Sequence, residues 1–197
     1  MPETVVQRYR DGEQTIAQEH HDVTVIFADI NGLDEISTWV SGEELVGIVD
    51  ELMRELDSAA ETFGVEPIRT VHNGYLASCG LTVPRLDSVP RTIDFAAEMQ
   101  RIIERFNSGK GYHLSIRAGV NTGNVISGLV GRSSVIYDMW GAAVNLAHQM
   151  RTSATESGIF VTSDVYEVMR DIRQFADAGT VTVNGAEQPV WRLVERK

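Results

Sequence analysis

The stretch that most constrains the fold covers residues 23–33 and reads VTVIFADINGL. The run from Val23 is almost unbroken in its apolar character and ends on a single acid, Asp29. Such a run is typical of a strand buried on both faces, which predicts that the Asp29 carboxylate emerges at the edge of the core. A carboxylate there is costly unless it is hydrogen-bonded, paired or bound to a metal. Two interpretations stay open from this stretch, a functional carboxylate and a helix N-cap in the loop after a strand.

The composition is that of one globular domain. The chain has 197 residues, of which 43% are hydrophobic, and this is enough for a substantial core. The net charge of -11 and the lack of a Lys and Arg cluster argue against binding to nucleic acid. The single cysteine, Cys79, lies in an apolar run and predicts a buried thiol in a reducing compartment. The sequence contains no apolar run of about 18 residues and no signal peptide, so no membrane contact by this segment is predicted.

Helices are predicted where apolar residues recur at helical spacing. The longest is expected to begin at a Ser41 cap with early acids and to end at Gly64. The loop 84–90 and the breaker 107–109 are expected to bound another. The predicted helices cover residues 33–39, 41–63, 92–106, 142–151 and 163–170.

Strands are predicted between these helices, and turn signals join several of them into hairpins. The predicted strand pairs are 65–71 with 75–81, 114–120 with 125–130, and 181–183 with 189–194, with a further strand at 158–162. Glycines at 119, 123, 128 and 131 are interpreted as tight turns or as backbone close to a ligand. The order of elements predicts an α+β fold with a mixed, mostly antiparallel sheet covered by helices.

The first 21 residues are polar and charged. We expect residues 1–21 to form a lead-in or linker that either packs on the domain or continues an upstream helix. Residues 22–197 are predicted to form the domain itself.

Three stretches taken together resemble one family. They read FADINGL around Asp29, IRTVHNGYLASCGL at 68–81 and YDMWGAAVNLAHQM at 137–150. In order and spacing they resemble the catalytic domain of class III adenylate and guanylate cyclases. The resemblance runs from about Val5 to Val194 and includes GVNTGNVISGLVG at 119–131.

The resemblance implies a ferredoxin-like βαββαβ core and a cytoplasmic location. The lead-in is similar to the segment that joins an upstream membrane or sensor region to this domain in larger members. A cytosolic domain of a larger membrane-bound protein is therefore a further expectation.

The resemblance also implies a dimer with active sites between the subunits. One subunit holds two divalent metals, Mg²⁺ or Mn²⁺, on the triphosphate, and the other reads the base and stabilises the transition state. Metals and cationic side chains neutralise the charge that develops when the ribose 3'-hydroxyl attacks the α-phosphate.

The metal half of the family's site is only partly present. Its first acid corresponds to Asp29, with the backbone carbonyl of Ile30 beside it. Its second acid corresponds to Asn73, which offers a carbonyl oxygen but no charge. Asn73 and Gly74 also make a strong hairpin turn signal in their own right. His72 stands where the family has glycine, and it is interpreted as a turn residue facing solvent, with a metal ligand as the alternative.

The base-reading positions are both polar. The family's lysine corresponds to Arg69 and its aspartate to Asp138, and this pair implies recognition of adenine. A guanidinium is longer and less adaptable than an ammonium, so the exchange is not neutral. The structural alternatives are a solvated or salt-bridged head for Arg69 and a helix cap for Asp138.

The transition-state positions have lost charge. Asn145 matches the family's asparagine, but Gln149 stands where the family has arginine. Arg151 is two residues further on and is predicted to face elsewhere. The family's triphosphate lysine falls within 183–187, VNGAE, which contains no lysine.

The resemblance implies a class III nucleotide cyclase domain in cyclic-nucleotide signalling that converts ATP to cyclic AMP and pyrophosphate. The departures at Asn73 and Gln149 predict weak or lost activity. The alternative is a catalytically inactive module that dimerises and binds ATP or another nucleotide for regulation. The expected partner is a second copy or another cyclase domain. A complete partner would restore neither site fully, because one site would still contain Asn73 and the other Gln149.

Overall fold

The computed structural model describes residues 1–131 and 134–194, apart from the side chain of Val71. The helices are α1 (Glu3–Arg10), α2 (Leu33–Ile36), α3 (Gly42–Phe63), α4 (Ser88–Lys110), α5 (Ala142–Ser153) and α6 (Ser163–Met169). The strands are β1 (Ala17–Asn31), β2 (Glu66–Val71), β3 (Gly74–Cys79), β4 (Ser115–Val130), β5 (Ile136–Trp140), β6 (Gly158–Thr162), β7 (Phe175–Val183) and β8 (Ala186–Leu193).

The strands form one eight-stranded sheet in the order β2-β3-β1-β4-β6-β8-β7, with β5 paired to β4 outside this path. The β4–β6 pair is parallel, and the other strand pairs are antiparallel. The units β1, α3, β2, β3, α4 and β4 form the ferredoxin-like core, with the sheet order β2-β3-β1-β4. The predicted α+β fold is confirmed.

Strand β1 is buried on both faces, as its apolar run predicts. Ile26, Ala28 and Ile30 pack into the core beneath α3 and α4, whereas Val23 and Val25 pack on the opposite face with residues of α5. The helix that follows β1 has Gly32 at its N-cap. Asp29 lies within the strand, so the N-cap interpretation of this residue is wrong.

Helix α3 begins where its capping signal predicts. The Ser41 hydroxyl accepts a hydrogen bond from the Glu44 backbone N–H at 3.2 Å, and the Ser41 N–H donates to the Glu44 carboxylate at 2.8 Å. This capping box satisfies backbone donors that have no partner inside the helix.

Ser41→Ala is expected to lower the free energy of unfolding by about 1 kcal/mol, because it removes the acceptor of the box. Urea denaturation would measure the change. Ser58→Ala, at an exposed position in the middle of the same helix, is the matched control. It is expected to be neutral or slightly stabilising, because alanine has the higher helix propensity. Equal losses in the two variants would contradict the role of the cap.

Helix α4 is longer than predicted at both ends. It begins at Ser88 and includes Pro90 in its first turn, where a missing N–H costs no helical hydrogen bond. It also continues through the expected breaker to Lys110. The Asn107 side chain does not stop the helix, because its amide bonds both the N–H and the carbonyl of Leu114, each at 2.8 Å.

The predicted hairpin at 114–130 is wrong, because these residues form the single strand β4. Pairing with β1 runs along most of its length and leaves no room for a turn at 121–124. The Asn121 side chain points inward and accepts a hydrogen bond from the Thr162 hydroxyl at 2.9 Å. Gly119 provides a close approach to helix α5, since a Cβ there would lie 2.1 Å from the Ala147 carbonyl oxygen. The sequence did not predict β5, a five-residue strand that contains Asp138.

The N-terminal residues pack on the rest of the chain. Val5 of α1 and Ile16 are buried in the cluster that includes α5, and Ala17 pairs with Gly128 of β4. The boundary between residues 21 and 22 stays a prediction, and residues 195–197 of the predicted domain lie outside the described ones. Within the described ranges, no helix has both the length and the apolar character needed to cross a membrane.

Candidate active site

The carboxyl end of β1 and the β2–β3 turn bring the expected metal-binding residues together. Asp29 pairs with Gly74 across the sheet, and the Ile30 N–H donates to the Asn73 carbonyl at 2.9 Å. His72 is exposed and has a positive φ of 54°, which fits a residue in a tight turn. Hairpin geometry thus places Asp29, Ile30 and Asn73 together at the carboxyl end of β1. We call this the metal-binding edge, because the family resemblance assigns the metals to these residues.

The Asn73 side chain is hydrogen-bonded to the Ile30 carbonyl. Its amide nitrogen donates to that oxygen at 3.0 Å. An ionised aspartate at this position has no hydrogen to donate. The amide therefore satisfies, from within the chain, the carbonyl that the family resemblance assigns to a metal.

Asp29 is paired with arginines. Its Oδ1 lies 3.1 Å from Nη1 of Arg151, and its Oδ2 lies 3.9 Å from Nη2 of Arg117. The Arg151 guanidinium stacks over the Phe27 ring at 4.2 Å from the centroid. The prediction that Arg151 faces elsewhere than Gln149 agrees with the structure, since Gln149 is exposed and the Arg151 side chain is only 12% exposed. The sequence did not predict that Arg151 contacts Asp29 of the same chain.

The surroundings of Arg151 shift its pKa and the pKa of His148. Burial lowers the pKa of Arg151, and the nearby Arg117 lowers it further, while Asp29 raises it. The pKa of His148 is lowered by burial and then by the charge of Arg151. Nη2 of Arg151 lies 3.1 Å from His148 Nδ1. Since a guanidinium only donates, Nδ1 accepts and the imidazole is neutral with its proton on Nε2.

The residues at this edge do not fit a pair of divalent cations. Asp29 is neutralised by arginine, the Ile30 carbonyl is hydrogen-bonded, and Asn73 is uncharged. In the described part of the chain, no group of three or more His, Cys, Asp or Glu side chains could hold a metal ion. A divalent ion needs several oxygen ligands, usually with carboxylates among them.

The expected base-reading residues lie together. Nε of Arg69 in β2 lies 3.1 Å from Oδ1 of Asp138 in β5, and that oxygen also accepts the Met139 N–H at 2.8 Å. Nε of Arg69 is buried and has no hydrogen-bond partner among the described residues, so the contact is an ion pair without good alignment. The helix-cap alternative for Asp138 is wrong, because Asp138 lies inside a strand.

A pocket of about 250 Å³ opens between β1, the β2–β3 hairpin and α5. Its lining includes Phe27, Asp29, Arg69, Asn73, His148 and Arg151. Asn145 and Gln149 do not line it. They are exposed on the outer side of α5.

Phe27, Arg117, His148 and Arg151 were not predicted as site residues. Arg117 lies directly opposite Asp29 in the β1–β4 pairing. Opposite charges in that register are a signal of contact only after the pairing is known. Residues 183–187 span the β7–β8 turn, which is formed by Asn184 and Gly185 at φ 52° and 79°.

This fold is that of a nucleotide cyclase catalytic domain. The adenylate and guanylate cyclase catalytic domain family matches residues 15–195, and the chain belongs to that family.

Individual cyclases are similar to this chain in sequence and in structure. An adenylate cyclase of Mycobacterium tuberculosis is 30% identical over 199 residues, which cover 100% of this chain and 45% of that protein. The chain therefore spans less than half the length of this relative. The catalytic core of a rhodopsin-guanylyl cyclase with converted specificity, in complex with ATPalphaS, superposes with a TM-score of 0.83 at 26% identity and covers 91% of this chain and 98% of its own. The guanylate cyclase domain of RhGC from Catenaria anguillulae, in complex with GTP, superposes with a TM-score of 0.82 at 25% identity. The match covers 91% of this chain and 100% of that domain.

Proposed function

We propose that this chain is a nucleotide-binding cyclase domain in which conversion of ATP to cyclic AMP and pyrophosphate is weak. The observation that carries the proposal is the state of the metal-binding edge, where Arg151 pairs with Asp29 and Asn73 bonds the Ile30 carbonyl. A cyclase reaction needs strong positive charge on the triphosphate, and this edge offers little to the ions that would supply it. We place the domain in the cytoplasm, with the cytosolic part of a larger membrane-bound protein as the alternative.

The polar residues at the two base-reading positions support nucleotide binding. The side chains of Arg69 and Asp138 are 34% and 14% exposed, and Arg69 lines the pocket. A guanidinium donates toward adenine N1, and a carboxylate accepts from the adenine amino group. In the proposed complex these two residues bind the base and orient the ribose. Asn145 on the exposed side of α5 contacts the same nucleotide, whose triphosphate is held by the partner subunit.

The transition-state half supports weak turnover. Gln149 is exposed and uncharged, and the 183–187 turn contains no lysine. A well-placed donor to a developing oxyanion contributes about 3 to 4 kcal/mol of transition-state stabilisation. Loss of two cationic side chains therefore lowers the rate strongly even if nucleotide binds.

An apolar face supports a dimer. Ile126, Val130, Ile136 and Trp140 are each at least 40% exposed. They lie on one face of the β4–β5 pair, where Asp138 sits opposite Gly128 between them. Exposed apolar side chains grouped in this way are typical of an interaction surface. We propose a second cyclase domain as the occupant, in a homodimer or a heterodimer, because the family's site is shared between subunits.

The alternative is a regulatory module that dimerises and binds nucleotide without turnover. The Asp29–Arg151 contact favours it for the isolated chain, because that contact removes the one metal carboxylate that remains. Product analysis after prolonged incubation separates the two readings. Cyclic AMP above the level of a denatured sample supports a weak cyclase, and its absence supports the module.

Titration calorimetry with a non-hydrolysable ATP analogue tests the binding proposal. We expect measurable heat with the unaltered chain and a clear loss of affinity in Asp138→Asn, which removes the charge that orients Arg69. Asp177→Asn, on the distant strand β7, is the matched control and is expected to bind normally. A flat titration at high analogue concentration would contradict nucleotide binding and leave a structural partner domain.

A further inference from the structure

At the metal-binding edge, the Ile30 carbonyl accepts a hydrogen bond from Asn73, and the Asp29 carboxylate is paired with the positive charge of Arg151. We propose that the Arg151 guanidinium is the resident counterion of Asp29 and excludes divalent cations from this carboxylate. The inference concerns whether the site binds divalent cations. It rests on the proposed function only for the location of the bound nucleotide.

Arg151 is held in place from several sides. Its Nη1 lies 3.1 Å from Asp29, its Nη2 donates to His148 at 3.1 Å, and its Cζ lies over the Phe27 ring at 4.2 Å from the centroid. Its side chain is only 12% exposed. A planar guanidinium stacked on a ring and fixed at both ends loses little freedom when it pairs with a carboxylate. The contact is therefore a built feature of the fold and differs from an exposed, mobile ion pair.

A second arginine strengthens the exclusion. Nη1 of Arg117 donates to the Ala154 carbonyl at 2.6 Å, which fixes its other end 3.9 Å from Asp29. Two guanidinium groups thus share one carboxylate, and the local charge is positive. A divalent cation that approaches Asp29 meets like charge at short range in a partly buried site, where screening by water is weak.

The remaining side of the edge offers no compensation. Asn73 contributes no charge, and its amide nitrogen donates a hydrogen bond to the Ile30 oxygen. A cation at that oxygen would meet a donor where it needs an acceptor. Exclusion of divalent cations therefore depends on the positive charge beside Asp29 and on the donor at Asn73. Substitutions at residues 151 and 73 can test the two contributions separately.

Mn²⁺ binding to the full chain without nucleotide tests the proposal, with the electron paramagnetic resonance signal of free Mn²⁺ as the readout. We expect Asn73→Asp alone to gain less than about threefold in affinity, because Arg151 still neutralises Asp29. Asn73→Asp with Arg151→Gln is expected to bind at least about tenfold more tightly than Asn73→Asp. Asn73→Asp with Arg151→Lys keeps the charge and is expected to stay within about threefold of Asn73→Asp.

A charge-matched control removes a distant arginine. Arg54 pairs with Asp50 on the surface of α3, with its side chain 79% exposed. Asn73→Asp with Arg54→Gln is expected to bind Mn²⁺ like Asn73→Asp, which separates a local effect from a change in net charge.

Two results would overturn the proposal. One is equal Mn²⁺ affinity in Asn73→Asp with and without Arg151→Gln. The other is a gain of more than about tenfold in Asn73→Asp alone, a comparison that leaves Arg151 intact and so does not depend on the folding of an Arg151 variant. Both measurements omit nucleotide, so failure of the ATP-analogue titration leaves them unaffected, and their failure leaves nucleotide binding intact.

Discussion

A chain with Asn73→Asp, Gln149→Arg and Arg151→Gln is expected to form cyclic AMP from ATP and Mn²⁺ about a hundredfold faster than the unaltered chain, or more. The first change supplies a second carboxylate at the metal-binding edge. The other two move the arginine of α5 by two positions, from the side that faces Asp29 to the exposed side. Residues two apart on a helix point in nearly opposite directions, so this move exchanges a counterion for a donor to the neighbouring active site.

The magnitude follows from the charge on the reacting phosphate. One well-placed donor is worth about a hundredfold to a thousandfold in rate, and restored groups in one site do not add fully. The variant with only Asn73→Asp and Gln149→Arg is expected to form cyclic AMP at a rate between those of the unaltered and the triply altered chains, because Arg151 still pairs with Asp29. Initial rates at saturating ATP, measured by product chromatography, would establish the order.

Asp29→Asn added to the three changes is the control. It is expected to return the rate to that of the unaltered chain, because the remaining carboxylate at residue 73 cannot hold the ions alone. A triply altered chain that is folded and binds the ATP analogue but is no faster would show that the loss of turnover lies elsewhere, with the missing lysine of the 183–187 turn as the next position to change.

Gly119→Ala is expected to lower the free energy of unfolding by about 2 to 3 kcal/mol and to disturb the site. A Cβ at this position would lie 2.1 Å from the Ala147 carbonyl oxygen and 3.2 Å from the Met150 Cβ. Backbone cannot yield as a flexible side chain does, so α5 must move away from β4. That movement would also shift Arg151, which reaches Asp29 from the last turns of the same helix.

Gly47→Ala is the matched control. Gly47 lies on the exposed side of α3, and a Cβ there meets nothing within 4 Å. Alanine at this helical position is expected to raise stability by about 0.5 to 1 kcal/mol. Urea denaturation would give both values. A Gly119→Ala chain as stable as the unaltered one would contradict the close packing of α5 on β4.

Local sequence signals predicted much of the fold because they act over a few residues. The Ser41 capping box, the Gly64 helix end and the buried run of β1 each depend on neighbours in the chain, and each is confirmed. The prediction failed where long-range pairing outweighs local preference. The residues 121–124 read as a turn, yet β1 holds them extended.

The sequence by itself indicated the family. It also matched Asp29, Asn73, Arg69 and Asp138 to positions of the family's site, and it showed that residues 73 and 149 carry no charge. These follow from residue types at recognisable spacing. Only the tertiary structure decided what Asp29 contacts. Its partner Arg151 lies on a helix that reaches β1 only through packing on the sheet, and the path of so long a side chain depends on Phe27 and His148 beside it. A contact between residues far apart in the chain leaves no local pattern, because its energy arises only when the two elements pack together.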